Sequence, residues 1–184
     1  HITMKDITEF PNLIIINSFG RGGSIFFQSL FDGHPNITTL PSFGSIYSDI
    51  SEEIIAEQNI FNKEVEKFIS KNQNIFDTSR GFLGKGKGYT SGLFGQNANE
   101  HIVTDINIFK KKINELKTRY FNDKKSISRK FFFILVHLSF YEIYFGKCNN
   151  IKYLLYHPHN FFELRYLIKD FPDLYFIGMS RNPL

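Results

Sequence analysis

Cysteine is almost missing from this chain, and the scarcity excludes a good deal. Cys148 is the single cysteine among 184 residues, so no internal disulfide can form, and no C-x-x-C pair or His/Cys ligand cluster exists to hold a metal. Tryptophan is absent and methionine occurs twice. With the abundant Phe, Ile, Asn and Lys, this reads as a compositional bias without functional meaning. No apolar run reaches the roughly 18 residues of a membrane span, and none is expected. The longest apolar stretch, Phe131 to Tyr144, contains His137, Ser139 and Glu142 and reads as a buried helix. No recognisable secretory signal opens the chain, and a cytoplasmic location is expected. In that compartment the glycosylation pattern Asn36-Ile37-Thr38 is inert.

What is present suits one compact domain spanning residues 1–184. Hydrophobic residues make up 42% and aromatics 17% of the chain, enough material for one substantial core at this length. The formal charge of +4 and a pI near 9.0 suit an anionic ligand. The only lysine runs, Lys110-Lys111-Lys112 and Lys124-Lys125, are not interleaved with exposed aromatics, so they read as solvated faces and not as a nucleic-acid tract.

Periodicity predicts a helix over Glu52 to Asn72, a short strand at Asn74 to Phe76, a helix over Ile102 to Tyr120 and another over Ile127 to Phe145. Asp77 to Gly92 is glycine-rich and aperiodic, hence a loop, with the option that its lysines cover an anionic acceptor. Ile151 to Tyr156 reads as a strand, Phe161 to Lys169 as a helix ended by Pro172, and Leu174 to Met179 as a strand. The strand-helix-strand order, added to a strand-loop-helix at the start, predicts a three-layer α/β fold with a mainly parallel sheet and its sites at strand C-termini.

Leu13 to Pro41, LIIINSFGRGGSIFFQSLFDGHPNITTLP, carries the chemistry. Leu13 to Ile16 are branched and consecutive, as in a strand covered on both faces. A glycine-rich turn, Gly20-Arg21-Gly22-Gly23-Ser24, follows. Ser24 is a good cap for the next helix, and Arg21 can add charge-assisted hydrogen bonds to an anion held there. The turn fits neither G-x-x-x-x-G-K-[ST] nor G-x-G-x-x-G, since Gly23 and not a Lys stands directly before Ser24 and the spacers are too few.

The run Phe19-Gly20-Arg21-Gly22-Gly23-Ser24, with Leu30-Phe31-Asp32-Gly33-His34-Pro35-Asn36-Ile37 and Leu40-Pro41, resembles the 5′-phosphosulfate loop of sulfotransferases that use 3′-phosphoadenosine 5′-phosphosulfate. There the pattern is roughly P-R-S-G-T-T, then L-L-D-x-H-P-x-I and L-P-E. Asp170-Phe171-Pro172-Asp173 through Ser180-Arg181-Asn182-Pro183 resembles that family's second landmark, F-P-D followed by a strand ending in R-D-P-R. The resemblance implies a P-loop-NTPase-like sulfotransferase fold and a cofactor site made of Gly20, Arg21, Gly22, Gly23 and Ser24 at the 5′-phosphate, with Arg181 at the 3′-phosphate. It also implies a piece of a longer polypeptide, since the family's next helix and third part would lie beyond Leu184. The chain departs from the pattern at Gly22 and Ile25, at Ser42 for the acid of L-P-E, and at Tyr156 for the lysine of a K-T-P motif matching Tyr156-His157-Pro158.

Sulfuryl transfer needs positive charge around the transferring group and the departing phosphate, and a base for the acceptor's proton. Arg21 suits the first task because its guanidinium stays charged. His157 and His159, after a predicted strand, are the candidate bases; His34, beside Pro35, is expected to brace a turn. No metal is required. The partners expected are the anionic nucleotide, leaving as adenosine 3′,5′-bisphosphate, and a hydroxyl or amine acceptor. The alternatives are a P-loop phosphotransferase, which would want a Walker lysine, and a noncatalytic domain that keeps the anion grip.

Overall fold

The computed structural model describes residues 10–18, 23–42, 44–80, 100–158 and 161–179. The run of branched residues after Phe10 forms β1 (Asn12–Ser18), and a glycine in the left-handed region, Gly23, opens α1 (Ser24–Ser29). A tight turn leads to β2 (Ile37–Thr39), a strand too short to announce itself in the sequence. Near the other end come β5 (Tyr153–Tyr156) and, after α6 (Leu164–Asp170), β6 (Tyr175–Met179). These four strands form one sheet in the order β2-β5-β1-β6, parallel throughout, with Ile15 opposite Tyr156 and Ser18 opposite Met179.

The order decides the layering. The connection from β1 to β2 runs one way across the sheet, while those from β2 to β5 and from β5 to β6 run the other way. Right-handed crossovers therefore put α1 on one face and the remaining helices on the opposite face. Burial agrees: Leu13, Ile15, Leu154 and Tyr156 join the main core, whereas Ile16 and Leu155 are buried outside it, as alternation along a strand requires. The α/β class and the parallel sheet expected from the sequence are thus present, with helices on both sides.

Between β2 and β5 the chain builds the main core, and several boundaries differ from the expectation. The predicted helix over 52–72 begins as a strand, β3 (Glu53–Ile55), paired antiparallel with β4 (Ser126–Ser128). Only then does α2 (Gln58–Lys71) start. Ile54 sits opposite Ile127 in this ladder, a pairing across more than half of the interval between the main strands that local periodicity cannot register. The strand predicted at Asn74 to Phe76 is instead a single helical turn, α3 (Gln73–Phe76), closed by Asp77 N–H on the Gln73 carbonyl at 2.9 Å. The extended residue is the next one, Asp77, which bridges Val103. That bridge also delays α4 (Ile106–Phe121) beyond the predicted start at Ile102. Asp105 caps the helix by accepting from the amides of Asn107 at 2.7 Å and Ile108 at 3.2 Å. Phe161–Glu163 forms a 3-10 turn ahead of α6.

The centre of the core is α5 (Arg129–Tyr144), buried without a break from Phe132 to Phe140. A helix apolar all round belongs inside a protein, and no helix among the described residues is long and apolar enough to cross a membrane. Phe133 meets Tyr47 edge-on at 4.9 Å and Tyr156 at 5.1 Å between ring centroids. Phe132 meets Phe61 and Phe68 in the same way. Burying each such ring contributes about 1.5–3 kcal/mol, with more from the aromatic pairing.

Candidate functional site

In an open parallel sheet, ligands bind beyond the strand C-termini where successive connections leave in opposite directions. Here that place lies between β1 and β5, with β6 directly on the other side of β1. The glycine-rich segment leaves β1 after Ser18, and the segment carrying Arg181 leaves β6 after Met179, the residue opposite Ser18. Tyr156 ends β5 opposite Ile15, and His157 follows directly after the strand. Sheet order alone therefore gathers the starts of all three sequence-predicted site segments.

Within the first segment, Gly23 has φ of 81° and its carbonyl accepts the Phe27 amide at 2.9 Å. Ser24 is buried at the start of α1. Gly20, Arg21 and Gly22 lie outside the described residues, as do His159, Arg181 and the loop of residues 81–92. His157, the remaining base candidate, is only 6% exposed.

The Asp-Gly-His-Pro run is a fastening. Gly33 has φ of 70°, the His34 ring accepts the Asn36 amide at Nδ1 at 3.1 Å, and the Thr39 hydroxyl donates to Asp32 at 3.1 Å. His34 thus braces the turn, as expected. Asn36 donates its side-chain amide to the Asn150 carbonyl at 2.8 Å, and its own carbonyl accepts from the amides of Lys152 and Tyr153. These bonds tie the entrance of β2 to that of β5. They also commit the Asn36 side chain, while Thr38 is buried, so the glycosylation pattern is built into structure.

Two departures from the sulfotransferase pattern acquire structural roles. Ser42 is buried and accepts from the Asn74 side chain at 3.3 Å. Tyr156 is buried with its hydroxyl 2.6 Å from the Gly44 carbonyl, 2.6 Å from Glu163 Oε2, and 3.0 Å from the Ile46 amide that donates to it. Glu163 Oε1 accepts the Ser48 amide at 2.7 Å and the Ser48 hydroxyl at 2.9 Å. Burial raises the Glu163 carboxyl above its ordinary range against the lowering effect of these bonds, and Asp49 adds to the rise. Burial and the neighbouring Glu163 likewise raise the Tyr156 hydroxyl well above the ordinary tyrosine range.

Sequence reading missed Glu163. Its signal was present in Phe161-Phe162-Glu163-Leu164: an acid within an apolar run is either the one exposed position or the one buried polar contact. The structure chooses the latter, with Phe162 80% exposed and Glu163 fully buried.

The lysine runs behave as solvated faces: Lys110 pairs with Glu66 at 3.0 Å and Lys112 with Glu115 at 2.8 Å. No group of three or more His, Cys, Asp or Glu side chains is arranged to hold a metal among the described residues. Compared with family models, with curated proteins and with solved structures, the chain matches none.

Proposed function

We propose that this chain is the cofactor-binding part of a sulfotransferase that moves a sulfuryl group from 3′-phosphoadenosine 5′-phosphosulfate to a hydroxyl or amine acceptor. The observation that carries the reading is the strand order. It makes the crevice between β1 and β5 a topological switch point and starts the segments of Arg21 and Arg181 from the paired residues Ser18 and Met179. In this reading the segment from Gly20 to Ser24 holds the 5′-phosphate and Arg181 the 3′-phosphate. The acceptor oxygen or nitrogen attacks sulfur as the bond from sulfur to the 5′-phosphate oxygen breaks. The acceptor's proton goes to a base, for which His157 and His159 are the candidates. Negative charge grows on the departing bisphosphate, and Arg21 neutralises it.

Calorimetry with adenosine 3′,5′-bisphosphate on the full-length polypeptide containing residues 1–184 tests this. Binding is expected for the wild type and weaker binding for Arg21→Ala; a folded protein that takes up no nucleotide at millimolar concentration overturns the assignment. A second reading, a noncatalytic domain that keeps the anion grip, is favoured by one feature. The residues standing for the family's acid and lysine, Ser42 and Tyr156, are buried in hydrogen bonds of the fold. Nucleotide binding without transfer to any hydroxyl or amine acceptor selects that reading.

A further inference from the structure

The Tyr156 hydroxyl carries one hydrogen, yet two oxygens lie 2.6 Å from it: the Gly44 carbonyl, which can only accept, and Glu163 Oε2. With Glu163 ionised, a single hydrogen serves both contacts, and one pair of lone-pair-bearing oxygens is left at hydrogen-bond distance with nothing between them. The Ile46 amide adds no relief, because it donates to the same hydroxyl. The other carboxyl oxygen is already taken by two donors from Ser48. One more proton, on Oε2, turns every short contact into a hydrogen bond.

We propose that Glu163 is a neutral carboxylic acid in the folded chain and forms a proton-held latch. Its Oε2–H donates to Tyr156, Tyr156 donates to the Gly44 carbonyl, and the segment from Gly44 to Ser48 is thereby clamped to the C-terminal end of β5 beside His157. Loss of the proton to solvent at higher pH leaves Gly44 and Glu163 competing for one hydrogen, and the clamp opens at the C-terminal end of β5, beside the candidate site.

Among the described residues, no Lys, Arg or His is paired with Glu163 as a counter-cation. From the 3-10 turn Tyr47–Asp49 come Asp49, which opposes ionisation, and Tyr47, which donates to Asp170 of α6 at 2.5 Å. From α5 come His137, whose ring lies 6.4 Å from that of Tyr156 and is kept neutral by burial, and Arg129. The Arg129 guanidinium lies over the Tyr47 and Tyr166 rings and donates to the Ile50 carbonyl. Directly after β5 comes His157, next in sequence to Tyr156.

The sign follows from linkage. A carboxyl whose folded pKa is raised contributes stability that is full below its unfolded value, about 4.3, and is lost as pH rises toward the folded value. Glu163→Gln keeps the shape and places an N–H where the acid has its O–H, so it mimics the latched state at every pH. Equilibrium unfolding of both proteins from mildly acidic to mildly alkaline pH is the test. The ratio of the variant's folding constant to the wild type's should climb with pH, by up to about tenfold per unit, with the variant at least as stable near neutrality. Infrared spectra of the wild type near neutral pH should also show a protonated carboxyl band that shifts in heavy water, changes in Tyr156→Phe and is missing in Glu163→Gln. A variant less stable than the wild type near neutrality, by a gap that closes as pH falls, shows an ionised Glu163 and overturns the latch. So does the lack of the band in the wild type, a readout that stands even if the glutamine variant fails to fold.

Discussion

At the scale of single residues, two of the glycines with positive φ, Gly23 and Gly33 on either side of α1, make a controlled comparison. Gly23 and Gly33 both have positive φ, 81° and 70°, but a Cβ at Gly23 meets nothing within 4 Å, while one at Gly33 lies 3.3 Å from the Phe145 ring. Alanine at either position carries the backbone cost of the left-handed region, about 1–2 kcal/mol. Only Gly33→Ala must also displace an aromatic ring. Gly33→Ala should therefore destabilise more than Gly23→Ala in chemical denaturation, and Gly33→Ala with Phe145→Ala should be less than additive. Equal losses from the two single changes would show that the half-exposed ring moves aside freely. Because Gly33 belongs to the turn that ties β2 to β5, its loss should loosen that edge of the sheet without touching the Gly23 end of the glycine-rich segment.

At the scale of elements, α5 holds its buried polar side chains with its own backbone carbonyls, although His137 Nε2 is left buried without a hydrogen-bond partner among the described residues. Ser139 donates to the Leu135 carbonyl at 2.7 Å, and His137 Nδ1 lies 3.0 Å from the Phe133 carbonyl, so the ring is the neutral tautomer with its hydrogen on Nδ1. Burial pushes the His137 pKa down to about 4. Between the ordinary value of about 6.5 and that point the unfolded chain binds a proton that the folded chain refuses. Stability therefore falls as pH drops through this window, by up to about 1.4 kcal/mol per unit and about 3 kcal/mol in all. Unfolding measured across the window should show a shallower acid slope in His137→Leu than in the wild type, with Glu163 common to both and cancelling in the difference. Matching slopes would mean that His137 takes up its proton in the fold. This helix was legible in the sequence because its apolar run needs no partner to be recognised, and β1 and β6 were legible for the same reason. The β3 and β4 ladder was not, since Ile54 and Ile127 become strand residues only by meeting each other. The candidate site divides likewise: Gly23 and Ser24 were marked by local turn chemistry, whereas Tyr156 draws its role from Gly44 and Ile46, more than a hundred residues away.

At the scale of the whole molecule, the sheet is asymmetric in a way that bears on the site. β1 is paired on both sides, whereas β6 is paired on one side among the described residues and leaves Tyr175 54% and Phe176 51% exposed. Local opening costs least where few apolar contacts are lost, so β6 should exchange its amide hydrogens faster than β1 or β5. The candidate site lies across this gradient, joining the end of the most firmly held strand to the end of a lightly held one. A ligand that bridges those ends stabilises the folded state by mass action, and its largest local effect falls where the unliganded protein opens most easily. Adenosine 3′,5′-bisphosphate should therefore slow exchange in β6 most, in the ends of β1 and β5 and the start of α1 less, and in the distant β3 and β4 ladder hardly at all. Hydrogen exchange followed by mass spectrometry, with and without saturating nucleotide, reads all of these segments in one experiment. Protection confined to α1 would mean a ligand that touches the glycine-rich segment but not the β6 end, removing Arg181 from the 3′-phosphate. Protection centred on the β3 and β4 ladder would place the nucleotide away from the switch point and end the sulfotransferase reading.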